Sequence, residues 1–352
     1  DGLDEAPREH PCEAAFNQLL HGEKYTDCRI MITTRPTNSA ALPQQHRDLE
    51  VMGLTNENIK HYTQHYFDGS EQANDLVKHL KGQPNLWGMA HIPVTLNMLC
   101  GLYEQRADEF NSLNTMSQLY ETMEVQLLIL AAEREADALK AQGKPSINDV
   151  VSFKEKIAYV REQYALHRRV LAKLALEGLQ KQQILLPENA LDELIAELIA
   201  SGELARTESA AFKQTILNLG LLKYSVDKAE GDDASACYLE FLHYTFQEYY
   251  AAVASAHMLK TQEADQPNAF LDELLISPRY QIMFWLMVGL LRDDEQAVNA
   301  LFEQLIHPSP NGDLIGEYRL GLLVRGLEEV LTEKNKKTYR KALEACLERL
   351  SA

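Results

Sequence analysis

The chain has 352 residues, 34 Lys and Arg against 52 Asp and Glu, a formal net charge of −18 and 45% hydrophobic residues. That is chain enough for two or three compact units with buried cores, and the apolar content excludes a disordered polymer. The acidity, with pI ≈ 5.1, argues against a duplex-DNA reader, which needs a basic stripe; the longest apolar run, residues 282–291, is about half of the ~20 residues a membrane-spanning helix requires.

The sequence opens on Asp1 with no methionine, basic n-region or apolar h-region, and reads as a processed chain or a piece of a longer one. Asp1-Gly-Leu-Asp-Glu5 sets three carboxylates beside a glycine, a grouping that holds a hydrated Mg²⁺ and orients a water. It reads equally as an exposed acidic start. A helix is expected over residues 11–20. Cys28 to Thr34 is short, continuous and rich in β-branched residues, as in a central strand of a parallel sheet covered on both faces. Arg35 follows it in Thr33-Thr-Arg-Pro36, where a guanidinium would point into the crevice at the strand's carboxyl end and suit a γ-phosphate. A structural salt bridge is the alternative. Thr55 is placed to cap a helix through Tyr66. His61 and His65 within it have zinc-ligand spacing, but Tyr62 stands where a metalloprotease has glutamate and no third ligand is evident.

From residue 70 to 200 the pattern is helical throughout. Pro93 suits the first position of a helix running to Gln105. Thr115-Met-Ser-Gln118 is a capping box opening a long helix with Leu119, Met123, Leu127 and Leu130 on one stripe. Residues 136–146 form a boundary, followed by helices over 148–178 in one or two pieces, 188–199 and 208–219. Period-2 runs at 221–226 and 237–242 flank a polar stretch with Gly231, which predicts a hairpin. Helices followed by a hairpin describe a winged-helix module. Thr245-Phe-Gln-Glu248 then reads as a capping box. Just before it, His243 could join backbone N–H groups in holding a phosphate, or be hydrogen-bonded in place. The remainder is helical, punctuated by Pro308 and Pro310. Lys334, Lys336, Lys337 and Arg340 form a compact basic cluster read as solvated surface. Five scattered cysteines without a C-x-x-C pair fit reduced thiols.

In order, these pieces resemble the NACHT domains of STAND signalling proteins, which include NOD-like receptors. Asp1-Gly-Leu-Asp-Glu5 is similar to their Walker B segment and Thr33-Thr-Arg-Pro36 to their sensor 1. Leu54-Thr-Asn-Glu-Asn-Ile59 with Tyr66-Phe67 resembles the helix closing the nucleotide domain. Ile92-Pro93 resembles the G-x-P region, with His91 where the family often has glycine, and Leu119-Tyr-Glu121 a further recurring piece. Phe241-Leu-His-Tyr-Thr-Phe-Gln-Glu-Tyr-Tyr-Ala-Ala252 is similar to the winged-helix signature of NOD-like receptors.

The resemblance covers residues 1–257. It implies a mainly α fold with a partial α/β N-terminal segment: an incomplete P-loop NTPase sheet (1–67), a helical domain (68–165), a winged helix (166–257), and a C-terminal helical domain or the start of HEAT-like repeats (258–352). It implies that Asp1 holds Mg²⁺ through water, Asp4 and Glu5 position or activate the attacking water, and Arg35 senses the γ-phosphate. Pro93 would pack on the adenine and His243 would contact the β-phosphate of ADP. The implied protein is a cytoplasmic ATP/ADP switch and slow ATPase that oligomerises with itself. Its other partners would be proteins met through an N-terminal effector and a C-terminal sensor region, with neither membrane nor nucleic acid. No G-x-x-x-x-G-K-[ST] occurs in the 352 residues, so this chain by itself is expected neither to bind ATP tightly nor to hydrolyse it. The competing reading is a helical adaptor or scaffold with a degenerate, non-catalytic nucleotide fold.

Overall fold

The computed structural model describes residues 53–105, 110, 113–143, 145–226, 237–261, 273–306, 316–332 and 334–351, together with Gln18, which is helical. The strand expected over residues 28–34 lies outside the described residues. What is described is mainly α-helical with one small three-stranded sheet.

Four helices build the first core. Thr55 opens α1 (Asn56–Tyr66), its side chain accepting from the Asn58 amide at 3.1 Å, which satisfies a donor the first turn leaves unpaired. Next come α2 (Glu71–Gly82), α3 (Pro84–Ala90) and α4 (Pro93–Gln105), the last starting on the expected proline. Ala73, Leu76, Val77 and Leu80 repeat at helical spacing and form the buried face of α2. Of these, Ala73, Leu76 and Leu80 pack with Ile59, Leu86, Leu96, Leu99, Leu102 and Phe110. Each fully buried leucine of this kind contributes about 1.5–3 kcal/mol.

The long helix α5 (Met116–Ala141) departs from its expected pattern. Thr115 does cap it, accepting from the Gln118 amide at 3.3 Å, but Gln118 reaches back to the amide of Asn114 rather than of Thr115. Leu119 is buried, yet Leu130 is 43% exposed, and Tyr120, Glu124, Val125, Leu128 and Ile129 are buried. The physical reason is that two cores meet along this helix. Leu119 belongs to the first and Tyr120 to the second, while Met116 and Met123 touch both. A helix covered on more than one side has no single stripe. It also runs five residues beyond Ala136, through good helix formers, before stopping.

Ser152 opens α6 (Phe153–Gln163) with a reciprocal capping box to Glu155, and α7 (Ala165–Gln180) follows after a break at Tyr164. Then come β1 (Leu186–Pro187), α8 (Glu188–Ala200), α9 (Ser209–Asn218), β2 (Leu222–Val226) and β3 (Cys237–Phe241). The expected hairpin is present, with Tyr224 opposite Leu239. β1 was not legible: its two residues add antiparallel to the other edge of β3, Leu186 opposite Leu239, giving the order β1-β3-β2. The helices α10 (Tyr244–Thr261), α11 (Gln281–Leu290), α12 (Glu295–Ile306), α13 (Gly316–Val330) and α14 (Arg340–Ser351) complete the described elements. Phe284 in α11 is fully buried, as its apolar surroundings predict, and Trp285 packs partly buried beside it. Cys100 and Cys346 are buried and in no disulfide, and burial pushes Cys100 up to about 12, which keeps it an inert thiol. No described helix is long and apolar enough to cross a membrane.

His167 of α7 stacks on Phe212 of α9, ring centroids 4.2 Å apart. Its Nδ1 is buried with no hydrogen-bond partner among the described residues, and burial lowers its pKa from 6.5 to about 4. The unfolded chain therefore binds a proton at a pH where the folded chain does not. The stability this contributes is present above pH 6.5 and is lost as pH falls through about 4. Partial exposure screens the ring, so about 1–2 kcal/mol is expected. His167→Phe should flatten that part of the acid limb, measured as the difference in urea midpoint between wild type and variant above pH 6.5 and near pH 4. An unchanged slope would remove His167 from the account.

Candidate functional site

The segment entering α1 is latched to the turn that precedes α4. The Leu54 amide donates to the His91 carbonyl at 2.7 Å, and His91 Nδ1 donates back to the Leu54 carbonyl at 2.5 Å. Because a carbonyl only accepts, this bond places a proton on Nδ1 of His91. Gly53 makes the approach possible. Its φ is +80°, and a Cβ there would lie 2.6 Å from the His91 carbonyl oxygen. His91, at the position where the resemblance suggests glycine, thus has a role of its own: it fixes where Pro93 begins α4. Pro93 is exposed, and so is the neighbouring Ile92, at 42%.

A second exposed group stands at the start of α10. The capping box expected at Thr245 is not what forms. The helix starts at Tyr244, two residues earlier than a Thr245 cap implies, and His243 supplies the cap. Its Nδ1 takes the Thr245 backbone amide at 3.2 Å and lies 2.9 Å from Thr245 Oγ1. Thr245 is held from α5, where the Tyr120 hydroxyl donates to Oγ1 at 2.6 Å. Glu248, expected to complete the box, is buried. A backbone N–H always donates, so Nδ1 is an acceptor, and the neutral ring carries its proton on Nε2.

Behind this cap, α10 packs its aromatic face on α5. Phe246 meets Tyr120 edge-on at 5.3 Å, and Tyr249 stacks on Tyr120 at 5.7 Å. One turn along α5, the buried Glu124 receives two bonds from Arg168, at 2.7 and 2.8 Å, and a third from the Tyr249 hydroxyl at 2.9 Å. Burial disfavours the Arg168 charge, but the Glu124 carboxylate more than compensates and holds its pKa above the ordinary arginine value. Burial likewise keeps the Tyr120 and Tyr249 phenols protonated and donating. Neighbouring Glu121 pairs with Arg292 at 2.7 Å, tying α5 to the loop after α11. Glu329 of α13 caps the N-terminus of α5 through the Met116 and Ser117 amides, both at 3.0 Å.

Of the residues singled out in the sequence, Asp1, Asp4, Glu5 and Arg35 lie outside the described residues. Pro93 and His243 are described, each exposed at the first turn of a helix that packs on α5. Among the described residues no group of three His, Cys, Asp or Glu is arranged to hold a metal. Leu119-Tyr-Glu121, which the sequence offers without an evident task, lies in the first two turns of α5. Tyr120 is bound to Thr245 and Glu121 to Arg292. The available signal was the pairing of an aromatic and an acid inside an otherwise apolar helix.

The described residues form helices around a small antiparallel sheet, with polar groups presented at helix N-termini. No known family model matches the chain. It is 24% identical over 249 residues to human NACHT, LRR and PYD domains-containing protein 12, covering 69% of this chain and 19% of that protein. It is 26% identical over 248 residues to Protein NLRC5 of Ictalurus punctatus, covering 69% and 13%, and 25% identical over 245 residues to NACHT, LRR and PYD domains-containing protein 3 of Bos taurus, covering 68% and 20%. Over about two thirds of its length the chain is thus similar in sequence to NACHT-domain, NOD-like-receptor proteins. It spans about a fifth or less of the length of the curated relatives it matches.

Proposed function

We propose that this chain is the part of a NACHT-type STAND switch that reads the state of a bound nucleotide. In this reading the nucleotide domain ends near residue 67, the helical domain spans 68–165, the winged helix 166–257 and the C-terminal helices 258–352. The seam between the middle two follows α5. Asp1 would hold Mg²⁺ through water, Asp4 and Glu5 would orient and activate the attacking water of a slow ATPase, and Arg35 would face the γ-phosphate. The phosphate loop would come from elsewhere in the parent polypeptide. When bound, the nucleotide supplies the phosphate charge that distinguishes the two states. Exchange of ADP for ATP would release the winged helix and let the protein oligomerise in the cytoplasm.

The observation that carries this reading is the cap of α10. His243 is exposed at the N-terminus of an 18-residue helix, and its proton is held on Nε2 by the bonds at Nδ1. An N–H donor beside a helix N-terminus fits a diphosphate oxygen. The exposed Ile92 and Pro93 offer an apolar face for a purine.

Removing one hydrogen bond to a charged oxygen costs about 1.5–3 kcal/mol, so His243→Ala in the parent protein should weaken ADP roughly tenfold to hundredfold. The same change should raise oligomerisation without a trigger. ADP affinity and dissociation rate are the measurements. An affinity unchanged by the substitution would sink the proposal in favour of a helical scaffold.

A further inference from the structure

His243 cannot choose its own tautomer, because both of its immediate contacts on Nδ1 come from Thr245, and Thr245 is itself oriented from another helix. The Tyr120 hydroxyl donates to Thr245 Oγ1 at 2.6 Å. That oxygen has one proton of its own, and the atom 2.9 Å away is Nδ1 of His243. The Thr245 amide points at the same nitrogen from 3.2 Å. The proton order is therefore Tyr120 to Thr245 to His243, and it runs one way. Tyr120 is a buried phenol at the middle of an aromatic group with Phe246 and Tyr249, so its hydroxyl position is set by packing.

We propose that Tyr120 and Thr245 are positioning residues for His243, a one-way hydrogen-bond relay from α5 that locks the imidazole as a donor at Nε2. The relay rests on the reading above for its use, since a donor at Nε2 matters only if an anion such as the diphosphate of ADP is the ligand. Its existence does not. A ring free to take the Nδ1–H form would present an acceptor at Nε2 and repel the same oxygen. Placing the control on α5 makes the histidine answer to the helix shared by both cores rather than to its own loop.

Two experiments separate the relay from the nucleotide reading. The first is long-range ¹H–¹⁵N correlation on the His243 ring of this 352-residue chain without nucleotide. Wild type should show a single Nε2–H tautomer. The amide of residue 245 still donates to Nδ1 in every variant, so Tyr120→Phe and Thr245→Val should weaken the Nε2–H preference and add a detectable minor Nδ1–H form, and Thr245→Ser, which keeps the hydroxyl, should remove it. A mixture in wild type, or a wild-type spectrum in both Tyr120→Phe and Thr245→Val, overturns the relay. The second is ADP affinity in the parent protein. Tyr120→Phe and Thr245→Val should each weaken ADP about three- to tenfold, the loss of one ordinary hydrogen bond, and should have no further effect when His243 is already alanine. Additive losses on the His243→Ala background overturn the positioning role. If His243→Ala itself leaves ADP binding unchanged, the diphosphate reading fails while the ring spectra still decide the relay.

Discussion

Replacing Glu124 with alanine is expected to cost about 3–5 kcal/mol, the usual loss when one partner of a buried ion pair is removed. The carboxylate is 2% exposed and carries three bonds: two from Arg168 and one from Tyr249. Without it, a guanidinium that burial already disfavours keeps its charge and loses both acceptors, and the Tyr249 hydroxyl loses its own. The loss should not depend much on salt, because screening reaches a pair at this depth weakly. Glu124→Gln should fall between, since it keeps the shape but turns an amide donor toward Arg168. The discriminating variant is Glu124→Leu combined with Arg168→Met. Removing both charges together leaves no buried ion uncompensated, so the double variant should be far more stable than the sum of its parts. Urea unfolding at constant m-value gives the comparison. A single-site loss below 1 kcal/mol would show that the pair is solvated in a way its burial does not allow.

The same pair shows what the sequence hides. Glu124 sits in a helix whose leucines suggest an amphipathic stripe with acids on the wet side. It is buried because Arg168, 44 positions along the chain, arrives to neutralise it. Local periodicity has no access to such a partner. Features written in neighbouring residues were legible: Thr55 and Thr115 as caps, Pro93 at its helix start and the β2–β3 hairpin. Features set by distant pairing were not. β1 has two residues and exists because β3 offers an open edge. The cap of α10 follows the same rule. Thr245 and Glu248 spell a capping box, but Glu248 is drawn into the core and Thr245 is engaged by Tyr120, so His243 takes the cap. Of the candidate site, His243 and Pro93 were visible as residues. What orients them, Tyr120 through Thr245 and His91 through Leu54, became visible only in three dimensions.

Gly289→Ala should destabilise the fold by about 2–4 kcal/mol, although helix propensity alone argues for a gain of up to about 1 kcal/mol for a helical glycine, here in the last turn of α11. A Cβ on Gly289 would lie 2.2 Å from Ser117 Oγ, 2.5 Å from Ser117 Cβ and 2.6 Å from Glu329 Oε2. None of these is the loose end of a surface chain. Ser117 is in the first turn of α5 and fully buried, and Glu329 is 8% exposed and committed to the Met116 and Ser117 amides. To admit the methyl group, α11 and α5 must separate, and overpacking of this kind costs about 1–3 kcal/mol. The movement also pulls Glu329 off the amides, and losing a cap adds about 0.5–2 kcal/mol. The internal control is Gly321→Ala in α13, where a Cβ meets nothing within 4 Å; there the propensity term acts alone and stabilises by about 0.5–1 kcal/mol. Opposite signs at two helical glycines, read as thermal midpoints of the two variants, would establish that the C-terminal helices hold the start of α5 by direct contact. Ser117→Gly should recover part of the loss by removing the atoms closest to the new methyl. If Gly289→Ala is as stable as Gly321→Ala, α5 is not clamped by α11 and α13.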